Sequence, residues 1–150
     1  MKFLITGGTG NIGSFLIDKI LSSGFKVNYL TRNQTKIKKS SNFNGFLWNP
    51  DKQKIDQKCF EGVTHIVHLS GESISKRWTN KRKKNILSSR LLATKLLFNS
   101  LSEYDSLSKI EHIVCASAIG IYQSSYEKIY NEESICEGKT FLQQVVKKWE

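Results

Sequence analysis

The stretch LITGGTGNIGSF, residues 4–15, places four glycines between two apolar runs of different spacing. The first run, residues 2–6, is short and ends at glycine, as is typical of a buried parallel strand. The second run keeps its apolar residues on one helical stripe and stops near Gly24. Residues 25–32 then alternate between apolar and polar side chains, which predicts a second strand. Together these segments predict one βαβ unit with a right-handed crossover.

The rest of the chain continues the alternation of strands and helices. We interpret residues 33–45 as a surface loop, and 46–50 as a short third strand; residues 51–62 show no clear pattern. Further strands are predicted over 64–71 and 112–118, the latter being the fifth. A long helix is predicted from about Thr79, its N-cap, to Glu103, and a last helix from about Gly138 to the chain end. The pattern predicts one α/β domain over residues 1–150, with a doubly wound parallel sheet, the Rossmann fold.

The glycines indicate a phosphate-binding turn. Gly7, Gly10 and Gly13 lie three residues apart between a strand and a helix, the setting that a dinucleotide pyrophosphate requires. One glycine permits the tight turn, one lets the backbone approach the phosphates, and one allows close packing of the helix. Asn11 and Ile12 would supply N–H groups at the helix start. A turn without a ligand is the alternative.

The end of the second strand indicates which dinucleotide is bound. NAD-binding proteins usually have Asp or Glu there to bind the ribose 2′-hydroxyl, whereas this chain has Thr31 and Arg32. An arginine can pair with a 2′-phosphate through charge-assisted bonds worth ~1.5–3 kcal/mol, or about ten- to a hundredfold in affinity. The sequence therefore favours NADP over NAD, with a solvent-facing arginine as the alternative.

Composition excludes several classes of protein. The net charge of +10 allows nucleic-acid binding as a minor option, but lysine is abundant throughout the chain and no nucleic-acid motif is present. Cys59, Cys115 and Cys136 show no CxxC spacing, so we expect neither a disulfide framework nor a metal site. The apolar start is too short for a signal peptide or a membrane span, and we expect a soluble cytoplasmic protein.

Several motifs carry a family resemblance. TGGTGNIG resembles the signature of the extended short-chain dehydrogenase/reductases. LSGESISKRW, SSRLLAT and ASAIGIY resemble the bacterial epimerase-family proteins of that superfamily, an atypical NAD-dependent epimerase/dehydratase group. The resemblance covers Met1 to Glu150 and implies an NADP-binding Rossmann domain followed by a smaller C-terminal substrate domain. On this expectation the substrate portion is absent, and the chain is a fragment, a truncated product or a degenerate copy.

The resemblance also implies which residues contact the cofactor. The implied pyrophosphate contacts are Gly7, Gly10, Asn11, Ile12 and Gly13, and those to the adenosine ribose phosphate are Thr31 and Arg32. Leu69, Ser70 and Gly71 would follow the ribose and pyrophosphate. Glu72 either hydrogen-bonds the ligand or is a surface glutamate.

The catalytic residues of the superfamily are only partly present. Its typical members use a serine, followed by a tyrosine and a lysine in the pattern YxxxK. Ser117 lies near the serine place, although Ala118 occupies it in the alternative register. The YxxxK place falls in FLQQVVKKW, where Phe141 or Leu142 replaces tyrosine and Val145 or Val146 replaces lysine. Tyr122, Lys147 and Lys148 are the possible substitutes, although we expect both lysines to point off the ligand face of the helix.

Arg90 is a further candidate, because it shares the apolar stripe of the long helix with Ile86 and Ala93. Burial of an arginine requires an anion or a cluster of carbonyl groups. We hypothesise that Arg90 binds a substrate anion or a cofactor phosphate, with Lys84 and Ser89 as weaker companions. The alternative is a structural arginine at the helix edge.

Two functions stay open from the sequence. One is an NADP-dependent oxidoreductase or epimerase acting on an unknown small hydroxylated substrate, such as a sugar nucleotide. The other is a non-catalytic module that binds NADP and senses redox state. The sequence does not define the oligomeric state.

Overall fold

The predicted βαβ unit forms the N-terminal part of the fold. In the computed structural model, which describes residues 1–103, 107–134 and 137–150, strands β1 (Lys2–Thr6) and β2 (Lys26–Thr31) are parallel neighbours. Helix α1 (Asn11–Ser22) connects them. The helix ends where predicted, since Gly24 adopts a φ of +79° that favours glycine.

The described strands form one six-stranded sheet. The remaining strands are β3 (Phe43–Asn49), β4 (Lys54–Ile55), β5 (His65–His68) and β6 (His112–Cys115). Their order is β4-β3-β2-β1-β5-β6, and every neighbouring pair is parallel except β3 with β4. Without the short β4, the order is that of a Rossmann fold, with its switch point between β1 and β5.

Helices cover both faces of the sheet, which confirms the doubly wound α/β prediction. On β1, the fully buried Leu4 and Ile5 belong to two separate apolar clusters, because successive side chains on a strand point to opposite faces. Ile5 packs with α1. Leu4 belongs to the cluster containing Leu97 of α2 (Asn80–Glu103), and α3 (Phe141–Trp149) packs against α2.

The third strand begins earlier than predicted, inside the segment interpreted as a surface loop. Tyr29 organises this segment: its hydroxyl donates to the Lys36 carbonyl at 2.7 Å and accepts from the Lys38 amide at 2.8 Å. A side chain at Gly45 would overlap the Tyr29 ring. The short antiparallel β4 forms within residues 51–62, where the sequence shows no clear pattern. Because this strand was not predicted, the strand predicted as the fifth is β6.

The structure confirms one helix start and corrects the other. Thr79 Oγ1 accepts from the Arg82 amide at 3.2 Å, as expected of the N-cap of α2. The last helix begins at Phe141, so the predicted start near Gly138 is wrong. Gly138 has a φ of +72°, outside the helical region. Thr140 caps α3 instead, in a reciprocal capping box with Gln143.

Candidate functional site

The glycine turn after β1 has the geometry that close approach of backbone requires. Gly7 has a φ of +71°, and the Gly10 amide donates to its carbonyl oxygen at 3.0 Å. A methyl group at Gly13 would lie 2.3 Å from that same oxygen. Gly7 therefore permits the tight turn, and Gly13 allows α1 to pack directly on it.

The start of α1 presents backbone donors that have no partner within the described residues. Gly10 is the N-cap and has no side chain to satisfy them, and the first turn contains no acidic residue. The amide of Ser14 donates to Gly10 at 2.9 Å, so the N–H groups of Asn11, Ile12 and Gly13 precede the first intrahelical bond. The helix start is therefore a positive end suited to an anion.

A cleft of about 260 Å³ lies beside this turn, at the C-terminal ends of β1, β2 and β5. Most of the predicted cofactor residues contribute to its lining: Gly7, Gly10, Thr31, Arg32, Leu69, Ser70, Gly71, Glu72 and Ser89. Asn11, Ile12 and Gly13 lie at the adjoining helix start. Lys84, Arg90 and Ser117 lie outside the lining.

One wall of the cleft contains residues that the sequence did not indicate. Trp48, Pro50 and Asp51 come from the end of β3 and the turn that follows it, while Thr9, Leu30 and Ala93 complete the lining. The position of β3 beside β2 brings this wall to Arg32. Residues 46–62 contain no recognisable motif, so the contribution of this wall to the cleft follows from the sheet order and not from the sequence.

A buried hydrogen-bond network holds the turn that follows β5. Thr6 Oγ1 lies 2.8 Å from His68 Nδ1 and accepts from the amides of Leu69 and Ser70 at 3.1 and 3.2 Å. Because that oxygen accepts twice, its proton goes to Nδ1, and the opposite ring nitrogen donates to Thr94 Oγ1 at 3.1 Å. Burial lowers the pKa of His68 to about 4, so the ring is neutral.

Ser70 provides a test of whether the cleft suits a polar ligand. Its Oγ is buried and has no hydrogen-bond partner within the described part of the chain. A buried hydroxyl normally finds a partner, since leaving one unpaired is unfavourable. The hydroxyl lines the cleft beside the glycine turn. The residues present therefore fit a ligand with hydroxyl or phosphate groups.

Glu72 connects the cleft to α2. Its carboxylate lies 3.8 Å from Arg32 Nη2 and 2.8 Å from Arg82 Nη1. Its amide donates to Ser89 Oγ at 2.9 Å, and its carbonyl accepts from Arg90 Nη1 at 3.1 Å. The sequence did not indicate Arg82, because its approach to Glu72 depends on the path of the loop between them.

Arg90 has carbonyl partners. Its Nη1 also donates to the Ile86 carbonyl at 3.0 Å, and its guanidinium lies 5.1 Å from the centre of the Trp149 ring. Burial lowers the pKa of Arg90, although the nearby Glu72 carboxylate raises it. Its role in anion binding stays a prediction. Its predicted companion Lys84 is exposed.

Ser117 faces a different hollow, of about 760 Å³, together with Tyr122 and Lys147. Its hydroxyl donates to the carboxylate of Glu150. Lys147 lines this separate hollow and is not part of the cleft lining, so the expectation that it points off the ligand face of the helix stays a prediction. Phe141 packs edge-on against Trp78, with ring centres 5.5 Å apart, so it contacts the loop before α2.

Two further findings concern metal and membrane sites. Within residues 1–103, 107–134 and 137–150, no three His, Cys, Asp or Glu side chains cluster as metal ligands would. No helix in those ranges is both long and apolar enough to cross a membrane.

Cys59 and Cys115 are free, and burial raises the pKa of both thiols. Cys136 lies outside the described residues.

The sheet order and the glycine cleft define a protein of the Rossmann class. Residues 3–142 match the model of the NAD dependent epimerase/dehydratase family, and the chain belongs to that family. Epimerase family protein YfhF of Bacillus subtilis is 33% identical over 153 residues, covering 100% of this chain and 48% of that protein. An Arabidopsis thaliana chloroplastic homologue of epimerase family protein SDR39U1 is 29% identical, covering 100% of this chain and 43% of its own length. The chain thus spans about half the length of the curated relatives it matches.

Solved structures give the same relationship. Human epimerase family protein SDR39U1, crystallised with NADPH, superposes with a TM-score of 0.75 at 26% identity, over 99% of this chain and 47% of that chain. A nucleoside-diphosphate sugar epimerase from Corynebacterium glutamicum superposes with a TM-score of 0.76 at 27% identity, over 99% and 29%. The recognised resemblance to the epimerase group is therefore confirmed.

Proposed function

We propose that this chain is the NADP-binding Rossmann portion of an epimerase/dehydratase-type oxidoreductase. The observation that carries the proposal is that the glycine turn after β1 and Arg32 after β2 line the same cleft at the switch point of the sheet. The human structural relative was crystallised with NADPH, which supports a dinucleotide in the equivalent place.

The proposed cofactor residues divide by the part of NADP that each would hold. The N–H groups of Asn11, Ile12 and Gly13 would receive the pyrophosphate, as free donors at a helix start do. Arg32, whose side chain is 61% exposed, would pair with the 2′-phosphate. Ser70 would use its unpartnered hydroxyl on the ligand. When bound, the nicotinamide supplies hydride chemistry.

Catalysis by the usual tyrosine and lysine is not part of the proposal. If Phe141 stands in the tyrosine place, that side chain has no proton to donate, and Val145 is equally unable to lower a pKa or to hold a ribose hydroxyl. Ser117 is the remaining candidate from the superfamily pattern, and in this structure its hydroxyl donates to Glu150 in a hollow separate from the cleft. A non-catalytic module that binds NADP and reports its redox state is therefore the second candidate function.

A nucleotide titration tests the proposed cofactor. Calorimetry with NADPH and NADH should show tighter binding of NADPH by about ten- to a hundredfold, the range that charge-assisted bonds to one phosphate provide. Arg32→Met should remove most of that difference and leave NADH affinity nearly unchanged. Binding of neither nucleotide would refute the proposal, and equal binding of both would refute the NADP preference.

A second measurement separates the two candidate functions. The protein is mixed with NADPH or NADP and a panel of carbonyl or hydroxyl compounds, including sugar nucleotides, and the absorbance of reduced nicotinamide is followed. Turnover that Ser117→Ala abolishes supports an oxidoreductase. Tight nucleotide binding with no turnover on any compound supports the non-catalytic module.

A further inference from the structure

Glu72, in the loop after β5, connects the cleft to a second arginine, Arg82 of the first turn of α2, which is not itself part of the lining. Arg32 and Arg82 approach opposite oxygens of the Glu72 carboxylate, Nη2 of Arg32 at 3.8 Å from Oε2 and Nη1 of Arg82 at 2.8 Å from Oε1. Arg32 and Glu72 both line the cleft. Two guanidinium groups from separate elements, the end of β2 and the first turn of α2, therefore converge on one anionic group.

Arg82 is the more buried of the two arginines. Its side chain is 19% exposed, against 61% for Arg32, and its Nη2 donates to the Ser73 carbonyl at 2.7 Å. Its Nε is buried without a hydrogen-bond partner in the described ranges. A guanidinium that is already bonded to a backbone carbonyl and keeps an unused donor is suited to binding a multidentate oxyanion.

We propose that Arg82 and Arg32 together form the site for the 2′-phosphate of NADP. In this proposal the Glu72 carboxylate holds the place between the two arginines until the phosphate displaces it. The inference rests on the proposed function, because it requires NADP as the ligand, and it adds a specificity residue that the family resemblance did not indicate.

Charge and donor number explain why a phosphate would displace the carboxylate. A phosphate monoester carries more negative charge than a carboxylate and has a third terminal oxygen, so it can accept more hydrogen bonds from the two guanidinium groups than the Glu72 carboxylate does. The unused Nε of Arg82 then gains an acceptor. NAD has no 2′-phosphate, so Glu72 would stay between the arginines when NAD binds. Arg32, Glu72 and Arg82 would therefore favour NADP over NAD.

Nucleotide titration of Arg82→Met tests the proposal. The expected result is a loss of ~10- to 100-fold in NADPH affinity and a change of less than about threefold in NADH affinity. Arg77→Met is the matched control, since it removes the same charge from an exposed side chain of the neighbouring loop. The control should weaken NADPH binding by less than about threefold.

Glu72→Gln tests displacement separately from the arginines. Removal of the competing charge should tighten NADPH binding by about three- to tenfold without tightening NADH binding. Glu72→Gln should likewise tighten binding of 2′,5′-ADP without tightening binding of 5′-AMP, because only 2′,5′-ADP carries the 2′-phosphate. Weaker NADPH binding by Glu72→Gln would overturn the displacement step.

The outcomes distinguish this inference from the proposed function. If the unmodified protein prefers NADPH and Arg82→Met keeps that preference, the two-arginine site is wrong while the proposed function stands. Equal weakening of both nucleotides by Arg82→Met would assign Arg82 a purely structural role and overturn the inference. If the unmodified protein binds neither nucleotide, the proposed function itself fails.

Discussion

At the scale of single residues, His68 supports the candidate site through its neighbours. The ring is fully buried on β5 and bonded on both sides by threonine hydroxyls, one of which also accepts the amides of the turn that lines the cleft. Protonation of the ring would place a second proton on Nδ1, facing the Thr6 hydroxyl proton. The network therefore requires a neutral ring.

This requirement predicts a specific pH dependence of stability. The pKa of His68 is about 4 in the fold against 6.5 in the unfolded chain, so the unfolded state binds more protons between these values. The free energy of unfolding that His68 contributes is fully present above pH 6.5 and is lost as the pH falls towards 4, by up to about 3 kcal/mol. Urea unfolding across this range measures it.

The control for this prediction is His68→Gln, which does not titrate in the range. The variant should be less stable at neutral pH but should show a shallower loss of stability between pH 6.5 and pH 4. An equally steep loss in both proteins would contradict the assignment to His68.

Arg90 makes a second prediction at this scale. Its guanidinium bonds to carbonyl groups of Glu72 and Ile86, so Arg90→Met should loosen the turn after β5 while α2 remains folded. We expect NADPH affinity to fall by about tenfold, because a turn that has lost one charge-assisted bond of about 1.5 kcal/mol must be reordered when the nucleotide binds, and the circular dichroism spectrum to stay normal. Lys95→Met, which removes an exposed charge from the same helix at a position with no assigned role, should leave affinity unchanged. Equal effects of the two variants would refute a positional role for Arg90.

At the scale of elements, the packing of α1 on the glycine turn leaves no room for a side chain at Gly13. Gly13→Ala would put a methyl group 2.3 Å from the Gly7 carbonyl oxygen, and 2.8 Å from Gly8 Cα, so the helix or the turn must move. We expect a loss of stability of about 1–3 kcal/mol, and a loss of nucleotide binding. Thermal unfolding and calorimetry measure the two effects.

Ser14→Ala is the matched control, since Ser14 is the next residue of the helix and is exposed. Among the described residues its hydroxyl bonds to the Asn11 carbonyl alone, at 3.1 Å, so its removal should change neither stability nor affinity by much. If Gly13→Ala kept both properties of the unmodified protein, the close packing of α1 would have no functional importance.

The elements that the sequence predicted are those specified by local patterns. The glycine turn, β1, α1, β2 and the N-cap at Thr79 follow from spacing and residue type within short segments. By contrast, β3 begins before its predicted start, because the Tyr29 hydroxyl hydrogen-bonds to the backbone of the segment that precedes the strand. The short β4 forms by pairing with β3. The Trp48 wall and the contact of Arg82 with Glu72 also depend on tertiary neighbours, which periodicity does not encode.

At the scale of the whole molecule, net charge acts on nucleotide binding. The chain carries +10 at pH 7, and NADPH is an anion, so long-range attraction should contribute to affinity. Salt shortens the reach of that attraction from about 10 Å at ~0.1 M to about 3 Å at ~1 M ionic strength. We expect NADPH affinity to fall with salt more steeply than NADH affinity, because NADPH carries the extra phosphate. Calorimetry over a salt series measures both slopes, and parallel slopes would contradict the 2′-phosphate site.

The attachment of Glu72 to α2 has a consequence for the kinetics of binding. Its amide and carbonyl are both bonded to side chains of that helix, Ser89 and Arg90, so the backbone at the cleft edge is held against α2. A segment held in this way need not open before a nucleotide enters, and the displacement proposed for the 2′-phosphate site requires rotation of the Glu72 side chain. Stopped-flow mixing with NADPH should therefore give one exponential phase whose rate rises linearly with nucleotide concentration. A rate that reaches a plateau would reveal a slow opening step before binding. That result would contradict the expectation that the loop at Glu72 stays in place as the nucleotide binds.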